Sequence, residues 1–219
     1  MSNVRNTSSK TVTMVQTALL AAIIVAISFT PLGYGIKIGT LSVTFMVLPV
    51  AIGASISGAW MGLILGTVFG ITSFINCITG GSVIGTIALS INPFFCFLMC
   101  VASRAITGAA AGFVSTLLNK LKVKSVKYAI VGITASLLNS ILFLGSMYLF
   151  FADKMMKNSD FLKMMEENDA AGISFFAFVI APAFINIIAE AFFNTFLNAV
   201  IMTALVKGRV IKNNTASIN

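Results

Sequence analysis

An all-α membrane protein of six transmembrane helices is the fold class this chain predicts, and three observations carry the prediction. Hydrophobic residues make up 58% of the sequence and charged residues 9%, against about 25% charged in soluble domains. The apolar residues fall in runs of about 20 or more, the length a helix needs to cross a hydrocarbon core roughly 30 Å thick. The basic residues flank those runs rather than fill them. A net charge of +8 arranged in this way is a topology signal and a contact for anionic lipid head groups. Nucleic acid is therefore not an expected partner.

Residues 1–11 read as an N-terminal tail, and the first span follows over 12–29. Arg5 and Lys10 before an apolar stretch resemble a signal sequence, but the stretch is longer than most such cores and no small-x-small site closes it. It reads as a retained span. Residues 43–75 carry no charge and form one stretch of 33 residues, about 50 Å as a helix and too long for one crossing. The natural break at 55–58 divides it into a short second span (43–56), which Pro49 is expected to kink, and a third (59–75). The fourth span covers 93–118, the fifth 128–151 and the sixth 173–206, leaving 207–219 as a basic C-terminal tail.

Orientation follows from the basic residues. Arg5 and Lys10, then Lys120, Lys122, Lys124 and Lys127, then Lys207, Arg209 and Lys212 fall on one side of a six-span topology. The positive-inside rule makes that side cytoplasmic. The opposite connections are not simple hairpins. Residues 31–42 contain Gly33, Gly35 and Gly39, with Ile36 and Ile38 alternating as in a short strand. Residues 76–92 are rich in Gly, Ser and Thr. Residues 153–169 mix charges with Met155, Met156, Leu162, Met164 and Met165, the pattern of an amphipathic segment lying over the outer face. Structured outer loops beside tight inner turns suggest a ligand bound from outside.

Small residues recur every fourth position on three spans: Ala18, Ala22 and Ala26; Gly58, Gly62, Gly66 and Gly70; Gly108 and Gly112. Such stripes let membrane helices approach closely where burial from water cannot drive association. For the glycines the expectation is packing within the bundle. For the alanines of a peripheral first span it is docking of another protein.

Several functions are excluded by what is missing. There is no GxxxxGK[ST] phosphate loop, and with no histidine there is neither an HExxH zinc site nor a Ser–His dyad. An enzyme needs a general base and a positioned nucleophile. Glu190 alone could be the base, so catalysis and resident cofactors are not expected. Cys96 and Cys100 lie one helical turn apart, but no histidine or nearby carboxylate completes a metal site, and with Cys77 they read as packing residues.

The candidate site comes from the polar residues inside the spans. Five of the six acidic residues lie between positions 153 and 169; the sixth, Glu190, stands in an apolar run with Asn186, Asn194 and Asn198 at spacing four. A carboxylate there costs about 3 kcal/mol on insertion scales, which marks a functional site or a required internal pairing. Arg104 lies 14 residues before Leu118 and Glu190 16 before Val206, about 21 and 24 Å from the inner ends at 1.5 Å per residue. At such similar depths the two either form a buried ion pair or face a cavity, where Arg104 binds an anionic group and Glu190 and Asn186 take hydroxyl or amide hydrogen bonds. Asn139 needs a partner in the same region. Lys37, the single charge of the first outer loop, and Phe74 and Asn76, at the outer end of the third span, complete the candidates.

Taken in order, these features resemble the substrate-binding S component of an energy-coupling factor (ECF) vitamin transporter. The resemblance rests on the alanine stripe, Pro31–Leu32–Gly33, Leu48–Pro49–Val50 with Ile52–Gly53, and Gly62 through Gly70 ending in Ile71–Thr72–Ser73–Phe74. It continues with Ser103–Arg104–Ala105–Ile106–Thr107–Gly108, Asn139–Ser140 with Leu144–Gly145, and Glu190 among asparagines. It covers residues 12–206 and is nearest to the pantothenate type, although Ser103 stands where the family often has proline. The resemblance implies a multi-pass subunit of a bacterial plasma membrane that captures a vitamin and docks through span one. Its partners would be a transmembrane coupling subunit and two ATP-binding-cassette ATPases. Riboflavin, folate, cobalamin or another precursor are alternative ligands, and a stand-alone transporter or a ligand-free membrane scaffold are alternative functions.

Overall fold

The computed structural model describes residues 2–30, 33, 36–38, 41–43, 45–121, 123–170 and 172–208, with side chains described except at 2–9, 36–38, 41–43, 182 and 185. Among the described residues five helices are long and apolar enough to span a membrane, and a sixth apolar helix is shorter. The architecture is a helical bundle with a two-stranded hairpin in the first connection.

Helix α1 (Ser2–Ser28) begins at the second residue, and its part long and apolar enough to span a membrane is Lys10–Ser28. The hairpin pairs β1 (Ile36–Ile38) with β2 (Leu41–Val43), Ile36 opposite Val43 and Ile38 opposite Leu41. Its formation removes Val43 from the second span. Helix α2 (Val47–Ser57) has only 11 residues, about 16 Å, half of a hydrocarbon core. Pro49 falls in its first turn, where a missing N–H is tolerated, so the expected kink does not arise. The break before α3 (Ala59–Ile78) is Gly58, at φ 77°, a left-handed conformation that glycine adopts without steric cost.

The second connection was expected to be a loop and is instead a helix, α4 (Val83–Ile91). Ser82 caps it, its Oγ accepting from the Gly85 N–H at 3.2 Å. Val83, Ile84, Ile87, Ala88 and Ile91 supply an apolar face that the Gly/Ser/Thr composition obscured. Asn92 and Pro93 then start α5 (Pro93–Leu117), Asn92 Oδ1 accepting from the Phe95 N–H at 3.1 Å. Helix α6 (Lys124–Met155) runs 32 residues and takes in Lys124 and Lys127. Lys127 is buried and donates to Asn119 Oδ1 at 2.7 Å, so it is no loop residue. Lys122, Arg209 and Lys212 lie outside the described residues. The amphipathic segment is α7 (Ser159–Glu167), with Phe161 and Met165 buried. A π-helical turn, Phe176–Ile180, leads into α8 (Ala181–Lys207). There the Ala181 N–H donates to the Phe176 carbonyl, just ahead of Pro182, which has no N–H to give.

The closest helix pair is α3 with α5. A Cβ at Gly62 would fall on the Gly108 carbonyl and one at Gly108 on that of Gly62, while Gly66 abuts the backbone of Arg104 and Gly112 that of Gly58. The glycine stripes thus lie inside the bundle. Helix α6 packs against α5 and α8 and so stands between them, while α1 rests on α2 and α3 at the edge. In α1, of residues 10–28, Ile24 alone is fully buried; Ala18, Ala22 and Ala26 are exposed. One apolar cluster (Ile24, Val50, Leu65, Phe69) fills the α1–α2–α3 side, and a second, with Met147, Phe151, Phe161 and Phe178, fills the end capped by α4 and α7.

Candidate ligand-binding cavity

A polar cavity lies between these clusters. It is walled by Ser73, Asn76 and Cys77 of α3, Ser82 and Gly85 at α4, Arg104 of α5, Asn139, Ser140, Phe143 and Leu144 of α6, and Ala183, Asn186, Ile187 and Glu190 of α8. It leaves ≈ 100 Å³ for the centre of a water-sized sphere, several times what one bound water requires. Its position follows from the helix pattern: α5 and α8 are held apart by α6, and their polar stripes face the gap.

Arg104 is 5% exposed. Its Nη1 donates to Ser103 Oγ at 3.1 Å and to the Met99 carbonyl at 3.4 Å. The guanidinium lies over the Phe143 ring at 4.2 Å and the Phe69 ring at 5.2 Å, contacts worth about 2 kcal/mol when desolvated. These rings hold the plane of the group while Nε has no hydrogen-bond partner among the described residues. Asn139, also 5% exposed, presents an Oδ1 in the same condition. Buried polar atoms of this kind are costly unless something supplies their bonds. Arginine and amide groups around a small cavity can recognise a carboxylate together with hydroxyl or amide groups.

The structure therefore brings Arg104, Asn139, Asn186, Glu190 and Asn76 to one cavity. Phe74 is not on its wall: it lies edge-on to Phe97 at 5.2 Å, and its neighbour Ser73 takes the lining position. Lys37 belongs to β1, and its side chain lies outside the described residues. The polar ladder of α8 divides in two. Asn186 and Glu190 reach the cavity, whereas Asn194 and Asn198 are buried at 1% and 0% exposure. Asn198 Nδ2 donates to the Tyr128 carbonyl at 2.7 Å, tying α8 to α6. This inner pair is not on the cavity wall, because the Gly132 backbone lets α8 close on α6.

Sequence reasoning missed Ser140, Phe143 and the α4 residues. Ser140 is the next residue after Asn139 and Phe143 lies one turn further along the same face, a signal that was available. The α4 contribution depended on recognising a helix in a Gly-rich connection. It also missed that Cys77 joins Cys96 and Cys100, the three sulfurs lying within 4.8 Å of one another.

Long apolar helices around an internal polar cavity define a membrane-embedded binding protein. The family model described as "ECF transporter, substrate-specific component" matches residues 12–206, and the chain belongs to that family. It is accordingly a substrate-binding transport subunit and not an enzyme, working with an ECF module of coupling subunit and ATPases. No curated protein matches the sequence.

Proposed function

We propose that this subunit captures a small water-soluble acid bearing hydroxyl or amide groups, with pantothenate the best fit, for ATP-driven uptake. The observation that carries the reading is Arg104: a cation nine-tenths buried, oriented by two rings, in the wall of a cavity that combines neutral polar groups and Glu190 with apolar side chains such as Leu144 and Ile187. A carboxylate takes the guanidinium, and Asn139, Asn186 and Glu190 take the remaining polar groups. Phe143 is the one aromatic ring in the wall among the described residues, and Arg104 already covers it. A flavin or pterin would call for more stacking surface.

On this reading the end capped by α4 and α7 faces outside and both termini face the cytoplasm, because Lys120 and Lys124 stand at the short α5–α6 connection and Lys207 ends α8. Exposed Ala18, Ala22 and Ala26 on α1 form the docking face for the coupling subunit, where small side chains allow close approach with little ordering.

A thermal-unfolding screen of the purified chain against pantothenate, riboflavin, folate and cobalamin tests the ligand. Pantothenate is expected to raise the midpoint, and Arg104→Ala to abolish that shift while the variant stays folded. Stabilisation by another vitamin in an Arg104-dependent way would reassign the ligand. An absence of stabilisation by any vitamin or small acid would overturn this reading of the ligand class.

A further inference from the structure

We propose that Cys77, Cys96 and Cys100 form a trithiolate site for a soft d10 metal ion in the cavity wall. The three residues come from two helices, α3 and α5, and are 4%, 0% and 0% exposed. Their sulfurs lie within 4.8 Å of one another, with Cys77 Sγ and Cys100 Sγ at 3.9 Å. Three sulfurs each about 2.3 Å from a central ion stand about 3.8 Å apart in tetrahedral and about 4.0 Å apart in trigonal geometry. The Cys77–Cys100 pair already has that spacing, and a pair at the 4.8 Å limit would have to close by about 1 Å, within reach of small side-chain rotations. Thiolate donors select zinc-class and copper(I) ions over hard cations.

Surrounding residues make room for the sulfurs. A Cβ on Gly85 would stand 2.5 Å from Cys77 Sγ, so α4 lies directly over the cluster because that position is glycine. The Gly85 carbonyl faces Cys96 Sγ at 3.9 Å. Cys96, Cys100 and Arg104 follow one another at spacing four on a single face of α5, which puts the guanidinium one turn from the thiols.

Charge balance favours a divalent ion. Binding proceeds as M²⁺ plus three thiols giving the M(thiolate)₃ anion and three protons, no electrons being exchanged. The complex carries one negative charge, and Arg104 next to it carries one positive charge. A monovalent ion on three thiolates would leave a net negative charge inside the membrane. Cys77 and Arg104 both line the ligand cavity, so the site shares a wall with it and a bound acid would compete with the thiolates for the same guanidinium.

The test uses the purified full-length chain in detergent under a non-thiol reductant. It is incubated with Zn²⁺, Cu⁺ or Mg²⁺ and passed through gel filtration before metal analysis by mass spectrometry. Cd²⁺ titration follows in parallel by its ultraviolet thiolate charge-transfer band. Because the chain has three cysteines in all, any such band reports this cluster. The expected result is one equivalent of Zn²⁺ retained in preference to Cu⁺, no Mg²⁺, and a Cd²⁺ band saturating at one equivalent. Cys100→Ser and Cys77→Ser, near-isosteric changes, should each weaken retention at least about tenfold with unchanged elution. Retention of less than a tenth of an equivalent by the native chain overturns the proposal without recourse to any variant. So does equal retention by the triple serine variant, which would place the ion elsewhere.

Discussion

Replacing Gly66 with alanine adds one methyl group where α3 lies against the backbone that carries Arg104. That methyl would stand 3.0 Å from the Arg104 carbonyl carbon and 3.2 Å from the Ala105 Cα, nearer still to the Arg104 oxygen, where ordinary contact is 3.4–4 Å. These neighbours are backbone atoms, so no side-chain rotation relieves the clash and α5 must back away. Overpacking of this kind costs about 1–3 kcal/mol, which lowers the unfolding midpoint by roughly 2–12 °C for a chain of this size. Since the displaced segment holds the guanidinium, ligand affinity should fall as well, by roughly 5- to 150-fold if the same energy is lost from the bound state. Gly145→Ala is the control: nothing lies within 4 Å of its added Cβ, and removing a mid-helix glycine stabilises by about 0.5–1 kcal/mol. The assay pairs thermal unfolding in detergent, followed by circular dichroism, with titration calorimetry. Trp60, 74% exposed and remote from the cavity, would be a poor optical reporter. Equal midpoints and affinities for Gly66→Ala and the native chain would refute the view that the glycine stripe positions Arg104.

Two further outcomes follow from the same contacts. Ala22→Trp should leave ligand binding intact, because Ala22 is exposed on α1, yet abolish uptake in cells expressing the ATPase module; undiminished uptake would dismiss the stripe as a docking face. Asn198→Ala removes the 2.7 Å bond to the Tyr128 carbonyl and should lower stability by about 0.6–1.7 kcal/mol, the range for hydrogen bonds between membrane helices. Its ligand affinity should match the native chain, and a selective loss of affinity would put the inner half of the α8 ladder back into the binding site.

Much of the fold was legible in the sequence because its causes are local. Apolar runs against a hydrocarbon thickness give the crossings, and lysine placement gives a topology. Period-four polar positions in an otherwise apolar helix show which face of α8 avoids lipid. That reasoning reached Arg104, Asn139, Asn186 and Glu190, since intramembrane polar groups stand out against their neighbours. It mistook α4 for a loop, because composition outweighed a short apolar periodicity and a serine cap. It gave Phe74 a lining role that Ser73 occupies, because one position on α3 turns a side chain by a wide angle.

The sequence by itself determined that this chain crosses a membrane, that its final helix carries an inward polar stripe and that it belongs among ECF-type binding subunits. Tertiary structure decided which parts of that stripe see a cavity, which alanines remain uncovered and that Cys77 meets two cysteines from another helix. The physical reason is that helix formation and membrane insertion depend on residues within a few turns, whereas a cavity exists only where two packed faces fail to meet. Here glycine contacts draw α3 onto α5, α6 holds α5 and α8 apart, and no single segment contains that information.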